Sequence, residues 1–405
     1  MSHTRTYEST HPWLTFSLDL NKFSHHLWLA LGEATSKCAH IAGVPLNPDS
    51  ARRVHSLYLA KGALATTAIE GNTLSEDEAQ ELLEGKLHLP PSRQYLGQEI
   101  QNIVEACNAL TQEIAKDGRH DITLEQLCWM NSQVLKGLEV DEDVVPGEIR
   151  QHSVVVGRYR CAPPEDCRYL LERLCETLNT FPCQGEMKEV MAIVKSIFAH
   201  LYLVWIHPFG DGNGRTARLL ELYLLLSTGF PQPASHLLSN HYNKTRSEYY
   251  RRLDAASRSP NGVIEFIQYA VQGFVDGLRD QIDFIRRQQW DVAWINYVHE
   301  LFQHQSGASA RRRRDLILWL SKQSGAVKFG KMADFVQNLP AWLAFEYQGK
   351  TPRTLQRDIE DLVDLELVLR EKGGAIRANK EMILAFLPWS HKEMPTAPSE
   401  EAPTT

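Results

Sequence analysis

Residues 207–218, HPFGDGNGRTAR, combine a histidine, an aspartate, three glycines and two arginines just ahead of a helical pattern. Gly212 and Gly214 let the backbone approach a ligand closely, and free N–H groups at a helix start attract anions. Arg215 and Arg218 lie three residues apart, where their guanidinium groups can donate bidentate hydrogen bonds to phosphate. Two cations at the positive end of a helix are unfavourable unless an anion lies between them. The segment therefore predicts a site for a phosphorylated ligand.

The spacing excludes the two best-known phosphate loops. A Walker A loop ends in GK[ST], and no lysine follows here; a dinucleotide-binding GxGxxG follows a strand, whereas residues 187–206 predict a helix. Asp211 offers the hard oxygen ligand that Mg²⁺ prefers beside phosphates. His207 has a side chain suited to removing a proton from an attacking hydroxyl.

Helical periodicity dominates the chain and predicts a mainly α protein. Ser75 and Glu78 form a capping box that starts a short helix ending before Gly85. The β-branched, glycine-bearing stretch 145–164 predicts a hairpin, and Pro163–Pro164 predicts the start of the next helix. The main predicted helices cover residues 50–69, 98–116, 124–137, 187–206 and 214–227.

Composition is that of an ordinary globular protein, with 43% hydrophobic and 23% charged residues. The net charge of −7 argues against indiscriminate polyanion binding. No uncharged apolar run of about 18 residues occurs and the N-terminus does not resemble a signal peptide, so we expect no membrane association. Seven cysteines without a CxxC pair predict reduced thiols, no zinc site and a cytoplasmic location.

HPFGDGNGRTAR resembles the signature of the Fic family of protein adenylyltransferases, HxFx(D/E)GNGRxxR, at every specified position. Similarity extends over about 60–275 and implies a Fic-type helical core with a β-hairpin flap. It also implies that His207 deprotonates a target hydroxyl that attacks the α-phosphate of ATP, and that Asp211 binds Mg²⁺. The remaining nucleotide contacts implied by the signature are Gly212, Asn213, Gly214 and Arg215 around the phosphates, with Arg218 on the γ-phosphate.

Two further segments resemble parts of the Fic nucleotide site. The hairpin at 150–160 is similar to the flap that aligns a target segment by strand addition; a plain surface hairpin is the alternative. NHYNKTRSEYYRRLDAASRS resembles the helix beside the adenine, which implies a base contact for Tyr249. Ser257 stands where some relatives carry asparagine, so the base contact that selects ATP is altered there. The flap residues that would lie over the nucleotide are Val156, Gly157, Arg158 and Tyr159.

Residues 66–72, TTAIEGN, suggest an internal inhibitor. Glu70 falls in the last turn of its predicted helix, where the dipole disfavours a carboxylate, so the side chain gains from a cationic partner. The stretch resembles the Fic inhibitory motif (S/T)xxxE(G/N) at Thr66, Glu70 and Gly71. The resemblance implies pairing of Glu70 with Arg218 and places the chain in the class with the inhibitor in cis. A solvated surface glutamate, or one that orients water to remove AMP from targets, remains open.

The C-terminal region reads as a separate unit. A helix is predicted from Arg311–Arg314, a second opens at Thr351–Pro352, and a hairpin turns at Gly373–Gly374. This order resembles a winged helix-turn-helix domain, in which Arg353 and Arg357 would face phosphates. The same surface would include Lys372 and Arg377, opposed by Asp358, Glu360, Asp361 and Asp364. DNA binding and protein docking or dimerisation therefore stay open.

The predicted domains are an N-terminal helical region (1–120, inhibitory helix about 50–71), a Fic core (121–280), a winged-helix-like domain (281–390) and a disordered tail (391–405). The predicted function is autoinhibited transfer of AMP from Mg–ATP to Tyr, Thr or Ser of unidentified target proteins and of the chain itself. The alternatives are another nucleotidyl or phosphoryl transfer and a DNA-binding regulator whose Fic domain senses ATP. A homodimer is expected by resemblance alone.

Overall fold

The computed structural model describes residues 5–46, 48–118, 121–328 and 339–384. The chain divides into two compact units after Asp283. The predicted tail, 391–405, lies outside the described residues.

The first unit is built from α-helices and one short β-hairpin. Strands β1 (Val155–Val156) and β2 (Tyr159–Arg160) pair antiparallel, with Val155 opposite Arg160 and Val156 opposite Tyr159. The helices in chain order are α1 (Thr6–Thr10), α2 (His25–Gly43), α3 (Pro48–Ile69), α4 (Glu76–Leu83), α5 (Gln94–Asp117), α6 (Leu124–Val134), α7 (Pro164–Asn179), α8 (Lys188–Ile206), α9 (Asn213–Leu226), α10 (Gln232–Ser235), α11 (Leu237–Lys244), α12 (Arg246–Ala256) and α13 (Gly262–Phe302).

Helices α8 and α9 pack against each other at the centre of this unit. From Met191 onward nearly every α8 side chain is buried, and α9 is buried over most of its length. Apolar residues on most sides of both helices account for this, since helices α2 and α7 cover α8 while α3, α5 and α6 cover α9. The connection 207–212 between two fixed helices is therefore held at both ends.

Among the described helices, the stretch Gly185–Ile206 is long and apolar enough to cross a membrane, and most of it is buried inside the protein. Burial of this kind is expected of a helix apolar all round at the centre of a domain.

Several predictions from local sequence are confirmed. Helix α3 ends at Ile69, and Gly71 follows with a φ of +111°. The Ser75 side chain accepts the N–H of Glu78 while the Glu78 side chain accepts the N–H of Ser75, which completes the capping box that starts α4. The predicted hairpin and the helix start at Pro164 are also present.

Helix α6 ends at Val134 instead of 137. The Asn102 side chain donates to the carbonyl of Lys136 (2.8 Å), and Gly137 adopts a φ of +68°. A capping amide from α5, which is remote in sequence, therefore ends the helix early. The helix predicted to begin at Arg311 begins three residues earlier, at Ala308.

Within the described ranges up to residue 384, the second unit continues from α13 with three further helices and a three-stranded antiparallel sheet in the order β3-β5-β4. Its core consists of apolar side chains from every element, including Trp294, Ile317, Leu355 and Leu362. The predicted turn at Gly373–Gly374 joins the last two strands, as expected. The elements are α14 (Ala308–Leu320), β3 (Val327–Lys328), α15 (Ala341–Tyr347), α16 (Pro352–Asp364), β4 (Val368–Arg370) and β5 (Ala375–Ala378).

The acidic face predicted for α16 is smaller than expected. Asp358 is fully buried, and its carboxylate accepts from Arg312 (3.0 Å) and the Tyr347 hydroxyl (3.1 Å). Asp361 pairs with Arg313 at 2.9 Å. Two of the four predicted carboxylates therefore neutralise arginines of α14 within the unit.

Candidate active site

The loop from His207 to Asn213 has a fixed backbone. His207 ends α8 with a φ of +50°, uncommon for a residue other than glycine, and its N–H donates to Leu203. The Asn213 side chain accepts from the N–H of Phe209 (2.9 Å) and donates to its carbonyl (2.8 Å). Gly212 has a φ of +75°. The side-chain amide of Asn213, a residue predicted to lie around the phosphates, is therefore used to close the loop.

The His207 ring is held in one tautomer. Nδ1 lies 3.3 Å from the Val204 carbonyl, and since a carbonyl can only accept, Nδ1 carries the proton and Nε2 keeps its lone pair. The pKa of His207 is lowered to about 4, mainly by burial and to a smaller extent by the charge of Arg150, while the Val204 hydrogen bond, Glu70 and Asp211 oppose the shift. The imidazole is neutral at pH 7 and can accept a proton at Nε2.

Arg218 is buried and bonded to the end of α3. Its Nε donates to the Thr66 hydroxyl (2.7 Å), and one terminal nitrogen donates to the Thr66 carbonyl (3.0 Å) and to Glu70 Oε1 (2.5 Å). Burial by itself raises the pKa of the Glu70 carboxyl, but the charge and hydrogen bond of Arg218 outweigh it and lower that pKa. A Cβ at Gly214 would overlap Glu70 Oε1, so glycine at that position lets the carboxylate approach. Glu70 is thus an ionised partner of Arg218, as the pattern TTAIEGN predicts.

Arg215 faces a different set of carboxylates. Its guanidinium lies 3.2 Å from Glu99 and 3.3 Å from Asp211, and its side chain is almost fully buried. Burial raises the pKa of Glu99, against hydrogen bonding from Asn72 and the charge of Arg215. The anion expected between the two arginines is thus supplied in this structure by carboxylates of the protein, one for Arg218 and two for Arg215.

A cavity of about 550 Å³ opens beside these groups. His207, Gly214 and Arg218 reach it from the signature, and Glu70 lies at its edge. The other predicted site residues along it are Val156, Gly157, Arg158, Tyr159 and Tyr249, and the residues that sequence reasoning missed are Val204, Trp205, Tyr250, Arg251, Leu253 and Asp254. The predicted residues that do not line it are Thr66, Gly71, Asp211, Gly212, Asn213, Arg215 and Ser257.

The hairpin β1–β2 forms one wall of the cavity. Val155 and Val156 are 60% and 43% exposed, so the outer edge of β1 is open to another chain segment. Arg158 is almost fully exposed, and its guanidinium lies 4.0 Å from Asp254. Tyr159 instead points inward and donates its hydroxyl to the Trp205 carbonyl (2.9 Å). Tyr159 therefore anchors the hairpin to the last turn of α8.

The opposite wall comes from α12. Tyr249 is buried, its ring stacks on Tyr242 with centroids 4.8 Å apart, and its hydroxyl bonds to His200 (2.9 Å). This hydroxyl is already used, so Tyr249 offers the cavity mainly ring surface. Ser257 is the C-cap of α12 and donates to the Asp254 carbonyl.

Tyr250 was missed by sequence reasoning. It is 42% exposed in the cavity wall, and its hydroxyl donates to the carbonyl of Ile69 (3.2 Å) at the end of α3. Tyr250 thus joins the cavity to the segment that carries Glu70. Adjacency to Tyr249 was the sole sequence feature that could have singled it out.

Asn131 and Glu99 were also missed. Asn131 donates to the Asp211 carbonyl (2.9 Å) and accepts from the Gly147 N–H (2.9 Å), which ties the loop to α6. Both residues are polar positions on buried faces of amphipathic helices, and this is the feature that could have marked them.

The environment of His207 makes a testable prediction. We expect the ring to stay neutral on titration from pH 8 to pH 5, with its midpoint well below 6.5, because burial disfavours the imidazolium ion. NMR of ring nitrogens in the nucleotide-free protein measures this, with His207→Gln used for assignment and exposed His25 as the internal control. A midpoint at or above 6.5 would contradict the described environment.

Residues 121–225 match the Fic/DOC family. Protein adenylyltransferase fic-1 of Caenorhabditis briggsae is 32% identical over 192 residues, 47% of this chain and 35% of that protein. Protein adenylyltransferase Fic of Nematostella vectensis is 27% identical over 212 residues, 52% of this chain and 46% of that protein. The chain therefore spans a third to a half of the length of these relatives.

Solved structures share the fold. A Fic family protein from Desulfovibrio desulfuricans superposes with a TM-score of 0.54 at 18% identity, covering 88% of this chain and 97% of that one. A Fic domain containing signaling protein from Bacteroides thetaiotaomicron gives 0.53 at 21% identity, covering 64% of this chain and 98% of that one. The chain thus has a mainly helical Fic-type fold, contains a region at 121–225 that matches the Fic/DOC family, and is related over about half its length to the Fic protein adenylyltransferases.

Proposed function

We propose that this chain is an autoinhibited protein adenylyltransferase that transfers AMP from ATP to Tyr, Thr or Ser hydroxyls of proteins. The observation that carries the proposal is the cavity in which His207 presents a free Nε2 while Arg218 is held by Glu70. A neutral base and a buried phosphate-binding cation on one cavity are the groups that such a transfer needs. The activity in the names of the relatives agrees with it.

The proposed reaction is an in-line substitution at the α-phosphorus. The target hydroxyl oxygen forms a bond to that phosphorus and gives its proton to His207 Nε2. The bond from the α-phosphorus to the bridging oxygen breaks, and pyrophosphate leaves with the electron pair. The start of α9, with Gly214 and the Arg218 guanidinium, holds the phosphates.

Asp211 is the proposed Mg²⁺ ligand. Its side chain is half exposed, so its carboxylate oxygens keep free lone pairs besides their bonds to the Gly212 N–H and Arg215. No cluster of three or more His, Cys, Asp or Glu occurs among the described residues. One carboxylate beside phosphates fits Mg²⁺, which keeps waters and substrate oxygens as its other ligands. When bound, the ion would neutralise charge on the phosphates.

The outer edge of β1 is proposed to bind the target. Extended peptides add as a strand to an exposed sheet edge through main-chain hydrogen bonds. The edge of β1 would therefore recognise the backbone of the target segment. Such a segment would run past His207 and present its hydroxyl there.

Glu70 is proposed to restrain the reaction. Its carboxylate occupies the terminal nitrogen of Arg218 that would bind the γ-phosphate. The γ-phosphate can bind that nitrogen only in molecules whose Glu70 has moved away. The apparent affinity for productively bound ATP is therefore the intrinsic affinity multiplied by the fraction of such molecules.

The test is a transfer assay on the purified chain with Mg²⁺ and ATP labelled on either the α- or the γ-phosphate. We expect Glu70→Gly to raise α-label on the chain itself and on lysate proteins at least about tenfold, because it frees a charge-assisted hydrogen bond. Adding His207→Ala should abolish the gain, since no base remains. Glu76→Gly is the control, an exposed glutamate outside the cavity.

Transfer of γ-label would instead indicate a kinase-like reaction. Equal labelling by wild type and Glu70→Gly would refute the restraint. Loss of AMP from pre-labelled protein that requires Glu70 would assign the reverse, hydrolytic activity to the same residue.

We further propose that the second unit is a winged helix whose α16 binds duplex DNA. Arg353 and Arg357 are exposed on α16 with no ion-pair partner among the described residues, while Asp358 and Asp361 turn to Arg312 and Arg313. We expect salt-dependent DNA retention by the wild-type chain, weakened by Arg353→Ala with Arg357→Ala. Salt-independent or unchanged retention in this double variant would favour a protein-docking role.

A further inference from the structure

Arg150 is a buried arginine that neither lines the cavity nor pairs with a carboxylate of the described residues. It is 3% exposed and does not line the cavity. Its Nε donates to the His207 carbonyl (2.7 Å), and its terminal nitrogens donate to the carbonyls of His152 (2.5 Å) and Ala162 (2.6 Å). Within the described ranges no carboxylate forms an ion pair with it.

Burial of the Arg150 guanidinium costs free energy, which the contacts of this side chain must offset. Burying a guanidinium carries a desolvation penalty that a carboxylate usually offsets. Here the offset comes from three backbone carbonyls. One of them, that of His207, lies at the end of α8, where the negative end of the helix dipole also favours a cation. The charge of Arg150 is thus met by the backbone next to the proposed base.

The three carbonyls belong to two structures. His152 precedes β1 and Ala162 follows β2, so each lies on one of the two legs of the hairpin. Both lie beyond the hydrogen bond that the Cys161 N–H donates to the Val154 carbonyl (3.1 Å). The His207 carbonyl belongs to the base itself. One guanidinium therefore joins both legs of the hairpin to the residue that would accept the proton.

The backbone strengthens the same junction. The Arg150 N–H donates to the Pro208 carbonyl (3.0 Å), and Ile149 forms a β-bridge with Phe209. These two contacts hold only the first leg. The second leg, at Ala162, depends on the Arg150 side chain and on Tyr159 and His11, whose ring contacts the Arg160 carbonyl (2.8 Å).

We infer that Arg150 is a positioning residue that sets the hairpin, and the target strand bound to it, at a fixed distance from His207. The inference rests on the proposed function for the identity of the target strand. His207 keeps its own bonds to Leu203 and Val204 without Arg150. Loss of Arg150 therefore frees the hairpin more than the base, and impairs transfer to protein hydroxyls more than attack by water.

The experiment uses the full chain with Glu70→Gly and compares Arg150→Met, Arg150→Lys and Arg168→Met. Arg168 is an exposed arginine that pairs with Glu172 in the described part of the chain, and it serves as the matched control. The first readout is amide exchange of the segment 153–161 and of α9. The second is the ratio of α-label on protein to free AMP formed by water.

For Arg150→Met we expect hairpin amides to exchange at least about tenfold faster with α9 unchanged, the scale of a lost charge-assisted hydrogen bond. The ratio of protein-bound to free AMP should fall by a similar factor. Arg150→Lys keeps the charge and part of the hydrogen bonding, so it should partly restore both the slow hairpin exchange and the product ratio. This variant also tests the inference if Arg150→Met does not fold. In Arg150→Ala, millimolar guanidinium should restore the ratio and sodium should not.

Hairpin exchange and a product ratio equal to those of Arg168→Met would overturn the inference. Faster exchange spread evenly over α8 and α9 with an unchanged ratio would also overturn it, because that is a merely structural role. If Glu70→Gly with intact Arg150 forms neither labelled protein nor AMP, the proposed function fails and the target role with it. The exchange measurement then decides separately whether Arg150 holds the hairpin.

Discussion

The charge of Arg218 is the constraint around which the site is arranged. Its guanidinium is buried in the first half of α9, where both desolvation and the helix dipole disfavour a cation. Glu221 lies one turn further on, but burial raises the pKa of its carboxyl to about 8, so it is largely uncharged at pH 7. Glu70 is left as the anion that directly bonds Arg218, and the hydroxyl and carbonyl oxygens of Thr66 accept the other hydrogen bonds that Arg218 donates.

This arrangement gives α3 two roles at once. Thr66 in the C-terminal turn of α3 and Glu70 just after it complete the buried polar contacts of Arg218 on α9. Under the proposed function, Glu70 also occupies the place of the last phosphate of the nucleotide. A phosphate can replace the carboxylate without leaving Arg218 unpaired, so the charge is met in both states. Tyr250 lines the cavity and donates its hydroxyl to the Ile69 carbonyl, so it links the cavity wall to the end of α3.

Sequence alone predicted the parts of the fold and site that depend on local patterns. The helix over 187–206, the capping box at Ser75 and the glycine after Ile69 follow from periodicity and capping chemistry, and the structure contains all three. The grouping of His207, Arg218 and Glu70 came from resemblance to a known signature.

What sequence could not give are contacts between distant segments. Arg150 reaches His207 across 57 positions, Glu99 reaches Arg215 across 116, and Tyr250 reaches Ile69 across 181. No periodicity encodes such pairings, because they arise only when helices pack. Ser257, which the resemblance put beside the adenine, is the C-cap of α12, where its hydroxyl donates to the Asp254 carbonyl.

The most direct test of the central claim is the affinity of the chain for ATP relative to ADP, with Mg²⁺, by calorimetry. The two nucleotides differ by the γ-phosphate, so their ratio reports whether Arg218 is available. We predict a ratio near one in the wild-type chain and a preference for ATP of about tenfold or more in Glu70→Gly, which disappears again when Arg218→Met is added. An ATP-to-ADP ratio that is the same in the wild-type chain and in Glu70→Gly would contradict the account.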